Sequence, residues 1–183
     1  MLAQLHVGLG LHFASGGIQV AVVQFHDGAL AEIKEFSRLE LADHGDVAAD
    51  LYATTRDLET KVEILRGRGR VTVGLKATEP SGLVQSGLSA DVCRRLYLQG
   101  SVLEMLSHQG LRPKIFLKQA YYGALGLPIP KKGNGQSLDD LRRDRAAATT
   151  VLGVDMESSL LRAGVGEERF MALVSAVAAA RTA

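Results

Sequence analysis

The sequence predicts an α/β fold in which a mixed five-stranded sheet carries helices on its faces. Two observations predict it. The chain opens with three apolar runs separated by glycine-containing turns, a pattern typical of antiparallel strands. Two later runs, each preceded by a helical segment, have the composition of buried parallel strands joined by helical crossovers. The predicted order of elements is therefore β-β-β-α-β-α-β-α, within one domain that spans residues 1–183.

The first three strands follow from the turns that separate them. Residues 6–25 contain two apolar runs divided by the sequence ASGG at 14–17, where glycine permits the positive φ of a hairpin turn. A second turn at 26–28 leads into 29–41. The apolar positions of 29–41 fit neither the strand nor the helix period completely, and we interpret this segment as a third antiparallel strand.

Helices and strands alternate after the third strand. Apolar residues recur every three, four and seven positions over 46–65, which predicts a helix. The run RVTVGLK at 70–76 predicts a buried parallel strand. Ser89 has the character of an N-cap for a second helix that extends to Gly110, and 113–117 predicts the last strand.

The remainder of the chain predicts a loop and two helices. Residues 123–136 are rich in glycine and proline, which indicates a loop. Ser137 is placed to cap a third helix, and 166–181 predicts a short alanine-rich helix. The third helix would present its apolar side chains on one face: Leu138, Leu141, Ala148 and Leu152.

Composition restricts the classes of function. With 46% hydrophobic and 22% charged residues, the chain suits a globular domain with one core. No apolar run approaches the roughly 20 residues of a membrane span, and the lack of a charged leader together with a single cysteine favours the cytoplasm. The net charge is +1, so a nucleic-acid site would need a local basic patch.

Three stretches of the sequence, taken in order, point to one family. They are the hairpin HVGLGLHFASGGIQVAVV, the helix, glycine and strand of 89–118, and the basic loop and helix KKGNGQSLDDLRRDRAAATTVLG of 131–153. Their order resembles the ribonuclease H-like superfamily, and their lengths resemble RuvC-type Holliday junction resolvases. The resemblance implies a nuclease in which about four carboxylates from different elements hold two divalent ions, Mg²⁺ or Mn²⁺.

The first carboxylate that this resemblance implies is missing. The match places Gly10, beside Leu11, where the family has its first aspartate, and residues 1–26 contain no acidic residue at all. A shift of register within the first strand therefore supplies no carboxylate. We interpret Gly10 and Leu11 as a degenerate metal-site position.

The other implied ligands are incomplete as well. Glu79 follows the fourth strand where the family has a glutamate, although a second register puts Lys76 there. On the last helix the match gives Glu168 at one acidic position and Met171 at the other. At most two of the four ligands therefore remain. Glu168 also has an alternative, structural role, because Glu167 and Glu168 together would complement the dipole at the start of a helix.

Histidines in or near the first hairpin are a second possible source of ligands. His6, His12 and His26 could supply nitrogen in place of aspartate. Their spacing does not suggest a closed zinc set. We expect them to be structural or exposed.

Basic residues are the candidates for contact with nucleic acid. In relatives, the loop and helix near the sheet edge grip the phosphate backbone, and the matching residues here are Lys114, Lys118, Lys131, Lys132, Arg142 and Arg143. Three acidic residues are interleaved with these cations and could cancel their positive electrostatic field: Asp139, Asp140 and Asp144. A further cluster, Arg66, Arg68 and Arg70, is interpreted from sequence alone as a solvated face.

A competing motif is GVDMESS at 153–159, which is similar to the acidic segment by which uridine phosphorylase-type nucleoside phosphorylases hold a ribose hydroxyl. In that family a strand and a further aspartate follow, whereas only a short tail without acidic residues after Arg169 remains here. We expect Asp155 and Glu157 to lie on a solvated turn.

The leading hypothesis is a catalytically degenerate RuvC-like protein that binds branched or duplex DNA, or serves as a scaffold, without a cofactor. One alternative is a divalent-metal-dependent endonuclease with a non-standard site built from Glu79, Glu168 and either Asp139 or Asp140. Another is a protein-interaction module that binds a protein partner or forms a homodimer. A nucleoside phosphorylase-like enzyme is the minor alternative.

Overall fold

Five strands form one mixed sheet in the computed structural model, which describes residues 5–14, 16–26, 29–77, 89–131, 136–156 and 166–183. The strands are β1 (His6–Ala14), β2 (Gly17–His26), β3 (Ala29–Glu40), β4 (Arg70–Lys76) and β5 (Lys114–Phe116). Their spatial order is β3-β2-β1-β4-β5. The first three strands pair antiparallel, and β1, β4 and β5 pair parallel. This confirms the predicted mixed five-stranded sheet, and it puts the first strand at the centre of that sheet.

Six helices lie on the two faces of the sheet in the described residues. They are α1 (Val47–Arg66), α2 (Ala90–His108), α3 (Lys118–Ala124), α4 (Leu138–Arg143), α5 (Arg145–Leu152) and α6 (Glu167–Arg181). The predicted caps are confirmed at two of them: Ser89 accepts a hydrogen bond from the Val92 amide, and Ser137 forms a capping box with Asp140.

Alternation along β1 assigns its residues to two separate cores. Leu9 and Leu11 are fully buried on the face that α1 and α2 cover. On that face α1 and α2 also contact each other, with the hydroxyls of Thr55 and Ser101 3.0 Å apart. Gly8 and Gly10 point to the opposite face, where α6 crosses the sheet.

Helix α6 lies across the centre of the sheet with almost its whole surface buried. Ten consecutive residues, from Phe170 to Ala179, are buried. A helix that is apolar all round must be enclosed, and this one lies between the sheet and helices α3 and α4. The sequence correctly predicts the helix, but its alanine-rich composition does not reveal that it is the central helix of this face.

Buried polar groups on α6 have partners. The Ser175 hydroxyl donates to the Met171 carbonyl at 2.7 Å and lies 2.8 Å from the Tyr121 hydroxyl. Burial raises the pKa of Tyr121 well above its ordinary value, so this phenol stays protonated. The bond fixes α3 on α6.

The structure corrects three details of the predicted elements. The third predicted helix breaks at Asp144, whose extended backbone ends α4 while its side chain caps α5 by accepting from the Ala147 amide at 3.0 Å. The last strand has three residues instead of five. Helix α3 forms where no helix was predicted, and its end overlaps the start of the predicted loop 123–136.

None of the helices in the described ranges is long and apolar enough to cross a bilayer.

Close contact between α6 and the strands requires glycine on β1 and β4. A Cβ atom at Gly74 would lie 2.1 Å from the Ser175 carbonyl oxygen, and one at Gly10 would lie 1.7 Å from the Ala172 carbonyl oxygen. These two glycines pair directly in the sheet. The helix backbone therefore rests on strand backbone with no side chain between them.

We predict that Gly74→Ala destabilises the fold by about 1–3 kcal/mol, because a methyl group would force α6 away from the sheet. Gly100→Ala is the matched control: Gly100 lies inside α2 with open space around its Cβ position. There the same substitution should stabilise by up to about 1 kcal/mol through helix propensity. Urea denaturation measures both changes, and equal effects would contradict the packing described above.

Candidate functional site

A cleft of about 520 Å³ opens at the carboxyl ends of β4 and β5. Lys76 ends β4, Lys118 begins α3 directly after β5, and Glu167 begins α6. The rest of its lining comes mainly from α3, α4, α6 and the segment after α3: Gln119, Tyr122, Ile129, Pro130, Ser137, Leu138, Asp139, Arg142, Phe170 and Met171. Ligands of open α/β sheets bind outside the carboxyl ends of the strands, so this cleft is the candidate site.

The two predicted degenerate positions offer no ligand to this cleft. Gly10 is covered by α6, since a Cβ there would lie 1.7 Å from the Ala172 carbonyl oxygen and 2.7 Å from the Ala176 amide nitrogen. Leu11 points to the opposite face and is fully buried in the core beneath α1 and α2. With α6 in this position, residue 10 has no room for any side chain.

Polar side chains begin two residues further along the strands. His12 follows Gly10 on the face of α6, and Lys76 follows Gly74. In the sheet register His12 pairs with Gln19, which pairs with Arg38. Strands β3, β2, β1 and β4 thus contribute one row of polar residues across the sheet: Arg38, Gln19, His12 and Lys76. The row contains two basic side chains, Arg38 and Lys76, and no carboxylate.

Glu168 is held by a guanidinium group. Arg38 Nη1 lies 2.6 Å from Glu168 Oε2, and Arg38 Nε lies 2.8 Å from Glu40 Oε1. The bond between Arg38 and Glu168 joins β3 to the first turn of α6. A carboxylate engaged in this way is already neutralised by a cation, so Glu168 is poorly placed to hold a metal ion as well.

His12 has the properties of a neutral imidazole. Burial lowers its pKa from the ordinary value, and the positive charge of Lys76 lowers it further, while Glu168 and Glu167 oppose these effects and Arg95 adds a smaller lowering. Its Nδ1 atom is buried and has no hydrogen-bond partner among the described residues. Within those residues, no group of three or more His, Cys, Asp or Glu side chains could hold a metal ion.

The acidic residues on α4 have structural partners. Asp139 forms ion pairs with Arg142 at 2.8 Å and Arg143 at 2.6 Å, and the hydrogen bond from Arg142 lowers its pKa. Asp140 accepts from the Ser137 amide at 3.0 Å and from its hydroxyl at 2.7 Å, and these bonds lower its pKa too. Both carboxylates stabilise the helix in which they lie.

The predicted basic residues fall into two groups. Lys118 and Arg142 line the cleft, Arg143 lies one residue further on α4, and Lys131 is exposed just after Pro130 of the lining. Lys114 lies at the opposite end of β5 and lines a different cleft. The structure therefore does not bring Lys114 into the cleft that Lys118 and Arg142 line. Lys132 lies outside the described residues.

The three histidines considered as possible ligands do not converge. His6 bonds to Thr72 at 3.0 Å near the amino end of the sheet, and His26 bonds to Gln24 at 2.7 Å on the surface. His6 and His12 are six residues apart on one strand, which separates them by about 20 Å.

Two of the acidic residues considered from the sequence are not among the described residues. Glu79 lies outside the described residues, as does Glu157 of the GVDMESS segment. Asp155 of the same segment is exposed after α5, between the buried side chains of Val154 and Met156.

Sequence reasoning missed two functional features of this region. The Arg38 to Glu168 ion pair joins residues 130 positions apart, and no local pattern signals such a pair. The close approach of α6 did have a signal, because glycine inside an apolar strand marks a place where another backbone comes near. Gly8, Gly10 and Gly74 all show that pattern.

We predict that acid destabilises the protein through His12. Its pKa in the folded state is below the ordinary 6.5, so as the pH falls through about 6.5 the unfolded chain takes up a proton that the folded chain does not. The free energy of unfolding should therefore decrease between about pH 7.5 and pH 5.5. His12→Gln should reduce this decrease and leave the part due to His6, whose pKa is also lowered by burial. Urea denaturation across this range provides the comparison, and an unchanged pH dependence in the variant would contradict the assignment.

Comparison with known proteins finds similarity in structure only. No family model matches the chain, and no curated protein matches it in sequence. RuvC of Thermus thermophilus in complex with a Holliday junction substrate superposes with a TM-score of 0.65 at 11% identity, covering 97% of this chain and 93% of that one. A second Thermus thermophilus RuvC structure gives a TM-score of 0.63 at the same identity and coverage.

A eukaryotic resolvase has the same arrangement. The yeast mitochondrial Holliday junction resolvase Ydc2 gives a TM-score of 0.57 at 11% identity, covering 94% of this chain and 77% of that one. Identities this low establish the fold and not the activity. The strand order, the helix across the sheet and these superpositions agree, and the chain has a ribonuclease H-like fold of the RuvC type.

Proposed function

We propose that this chain is a catalytically degenerate RuvC-like protein that binds the phosphate backbone of duplex or branched DNA in the cleft at the carboxyl ends of β4 and β5. One observation carries the proposal. Where a two-metal nuclease of this fold would need carboxylates, the described sheet presents the row of His12, Gln19, Arg38 and Lys76. The row offers no carboxylate to a divalent cation, and Lys76 is its one charged member without an ion pair among the described residues, since Arg38 is engaged by Glu40 and Glu168.

The described residues do not fit a pair of divalent ions. The resemblance puts the first ligand position at Gly10, where α6 leaves no room for a side chain, and Glu168 is bound to Arg38. A bridging carboxylate from the centre of the sheet is what holds two ions a few Å apart. No catalytic step through a metal follows from this arrangement of residues. The nuclease alternative would need Glu79 together with a different placement of Glu168.

The cations of the cleft are suited to phosphate. Among the described residues, neither Lys76 nor Lys118 forms an ion pair with a carboxylate. Arg142 shares its charge with Asp139 and contributes less. Contacts of this kind are independent of base sequence and sensitive to salt. A solved structure of the same fold, from Thermus thermophilus, contains a Holliday junction substrate, which supports DNA as the ligand class.

We predict that Lys76→Gln with Lys118→Gln weakens binding to duplex and four-way-junction DNA alike. Removing two phosphate contacts should make the slope of log K against log salt concentration less steep by up to about 1.8 for duplex DNA. The control, Lys34→Gln with Arg56→Gln, removes the same charge from cations paired with Glu32 and Glu59. Fluorescence anisotropy without divalent ions provides the readout. If the wild-type protein binds no DNA at low salt, the DNA proposal fails and a protein-interaction module is the function that remains.

A second prediction concerns metal. Crystals soaked in Mn²⁺ should show no pair of ions near Gly10, since α6 fills the space that the bridging ligand would need. Four-way-junction DNA incubated with the protein and Mg²⁺ or Mn²⁺ should remain uncut. Anomalous density for two fully occupied ions beside Gly10, or metal-dependent cleavage, would overturn the degenerate assignment.

A further inference from the structure

A second cleft lies at the other end of the parallel strands. It has a volume of about 290 Å³ and is lined by the first residues of β4, the turn before β5 and the end of α6. Three cations line it: Arg70 at the start of β4, Arg112 in the turn and Lys114 at the start of β5. All three side chains are exposed.

Two more cations precede the cleft on the chain. Arg66 ends α1, and Arg68 follows it in the turn that leads to Arg70. The three arginines alternate with Gly67 and Gly69 and are all exposed.

Backbone contacts hold this turn in place. The Gly67 amide donates to the Glu63 carbonyl at 3.1 Å, and the Arg70 amide donates to the Leu5 carbonyl at 2.9 Å. A Cβ at Gly69 would lie 2.1 Å from the Leu5 carbonyl oxygen, so only glycine fits there. The arginine side chains therefore extend from a backbone that is fixed rather than from a free loop.

Eight of the fourteen other lysines and arginines in the described ranges form ion pairs with carboxylates. In the part of the chain that the structure describes, no carboxylate forms an ion pair with any of the five: Arg66, Arg68, Arg70, Arg112 and Lys114. Elsewhere Arg38, Lys61 and Arg142 are paired. The overall net charge of +1 hides this local excess.

Opposing charges in this region are smaller. Glu63 is exposed on the last turn of α1, and the carboxyl end of α6 contributes about half a negative charge through its unpaired carbonyls. Five full positive charges exceed both together. The field at this end of the sheet is therefore positive and open to solvent.

We propose that these five residues, which we call the Arg70 surface, form a second phosphate-binding surface for the backbone of a nucleic-acid duplex. Exposed cations spread over a turn and two strand ends suit a ligand with regularly repeated phosphates, whereas one small anion requires an enclosed pocket. This inference rests on the proposed function, because it assigns the same class of ligand to another face of the fold.

The Arg70 surface is separate from the cleft that contains Lys76. Arg70 and Lys76 lie at opposite ends of β4, about 20 Å apart at the rise of a strand. Sites at this distance without shared partners act independently, so the effects of substitutions at the two sites on the free energy of binding should add.

The test removes three cations of the Arg70 surface by Arg70→Gln, Arg112→Gln and Lys114→Gln. We expect this triple variant to bind duplex DNA at least about 10-fold more weakly at low salt, with a slope in log salt flatter by up to about 2.7. The matched control removes three paired cations by Lys34→Gln, Arg56→Gln and Arg94→Gln. A second variant, Arg70→Lys with Arg112→Lys, keeps the charge and should keep the slope, which separates a contact by charge from damage to the fold.

Measuring the Lys76 and Lys118 double variant in the same series distinguishes the two proposals. If that variant weakens binding while the Arg70 triple variant equals the control, the Arg70 surface is not a phosphate site and the proposed function stands. If only the Arg70 triple variant weakens binding, the second surface is supported and the cleft is not the DNA site. If the wild-type protein binds no duplex, both proposals are overturned.

Discussion

The packing of the α6 backbone against glycines of β1 and β4 is the contact on which the rest of this structure depends. Gly10 and Gly74 pair across the two central strands, and the carbonyls of Ala172 and Ser175 lie directly over them. No side chain separates helix from sheet at that point. This proximity explains why small residues dominate the middle of α6 and why ten consecutive positions of the helix are buried.

The same contact determines the chemistry that is available at the sheet. A helix backbone that rests on the strands closes the position where a central carboxylate would project. Polar side chains then begin only beyond the glycines, as His12 and Lys76, where α6 starts and a cleft opens. Glu168 reaches that region from α6 but meets Arg38 from β3. Among the described residues, this cleft is lined by three cations, Lys76, Lys118 and Arg142, and by two carboxylates, Asp139 and Glu167.

Much of the fold could be predicted from the sequence, because its strands are apolar runs bounded by glycine turns and its helix caps are local. The strand at 70–76 and the cap at Ser89 depend only on neighbouring residues, and both are confirmed. The break at Asp144 could not be predicted, since Asp144 suits an exposed helix position as well as a cap. The candidate site was less predictable. It depends on contacts such as Arg38 with Glu168, which join segments far apart in the chain.

The distribution of charge over the fold carries information that the overall composition does not. The chain has 21 basic and 20 acidic residues, a balance that argues against a nucleic-acid ligand when taken as one number. In the fold, many of the described carboxylates form ion pairs with nearby cations on α1, α2, α4 and β3, and these pairs stabilise the surface of those elements. Within the described ranges, Lys76 and Arg70, which lie at the two ends of β4, form no ion pair with a carboxylate. Each end of this strand therefore carries a positive charge that no described ion pair offsets, even though the sequence as a whole is almost neutral.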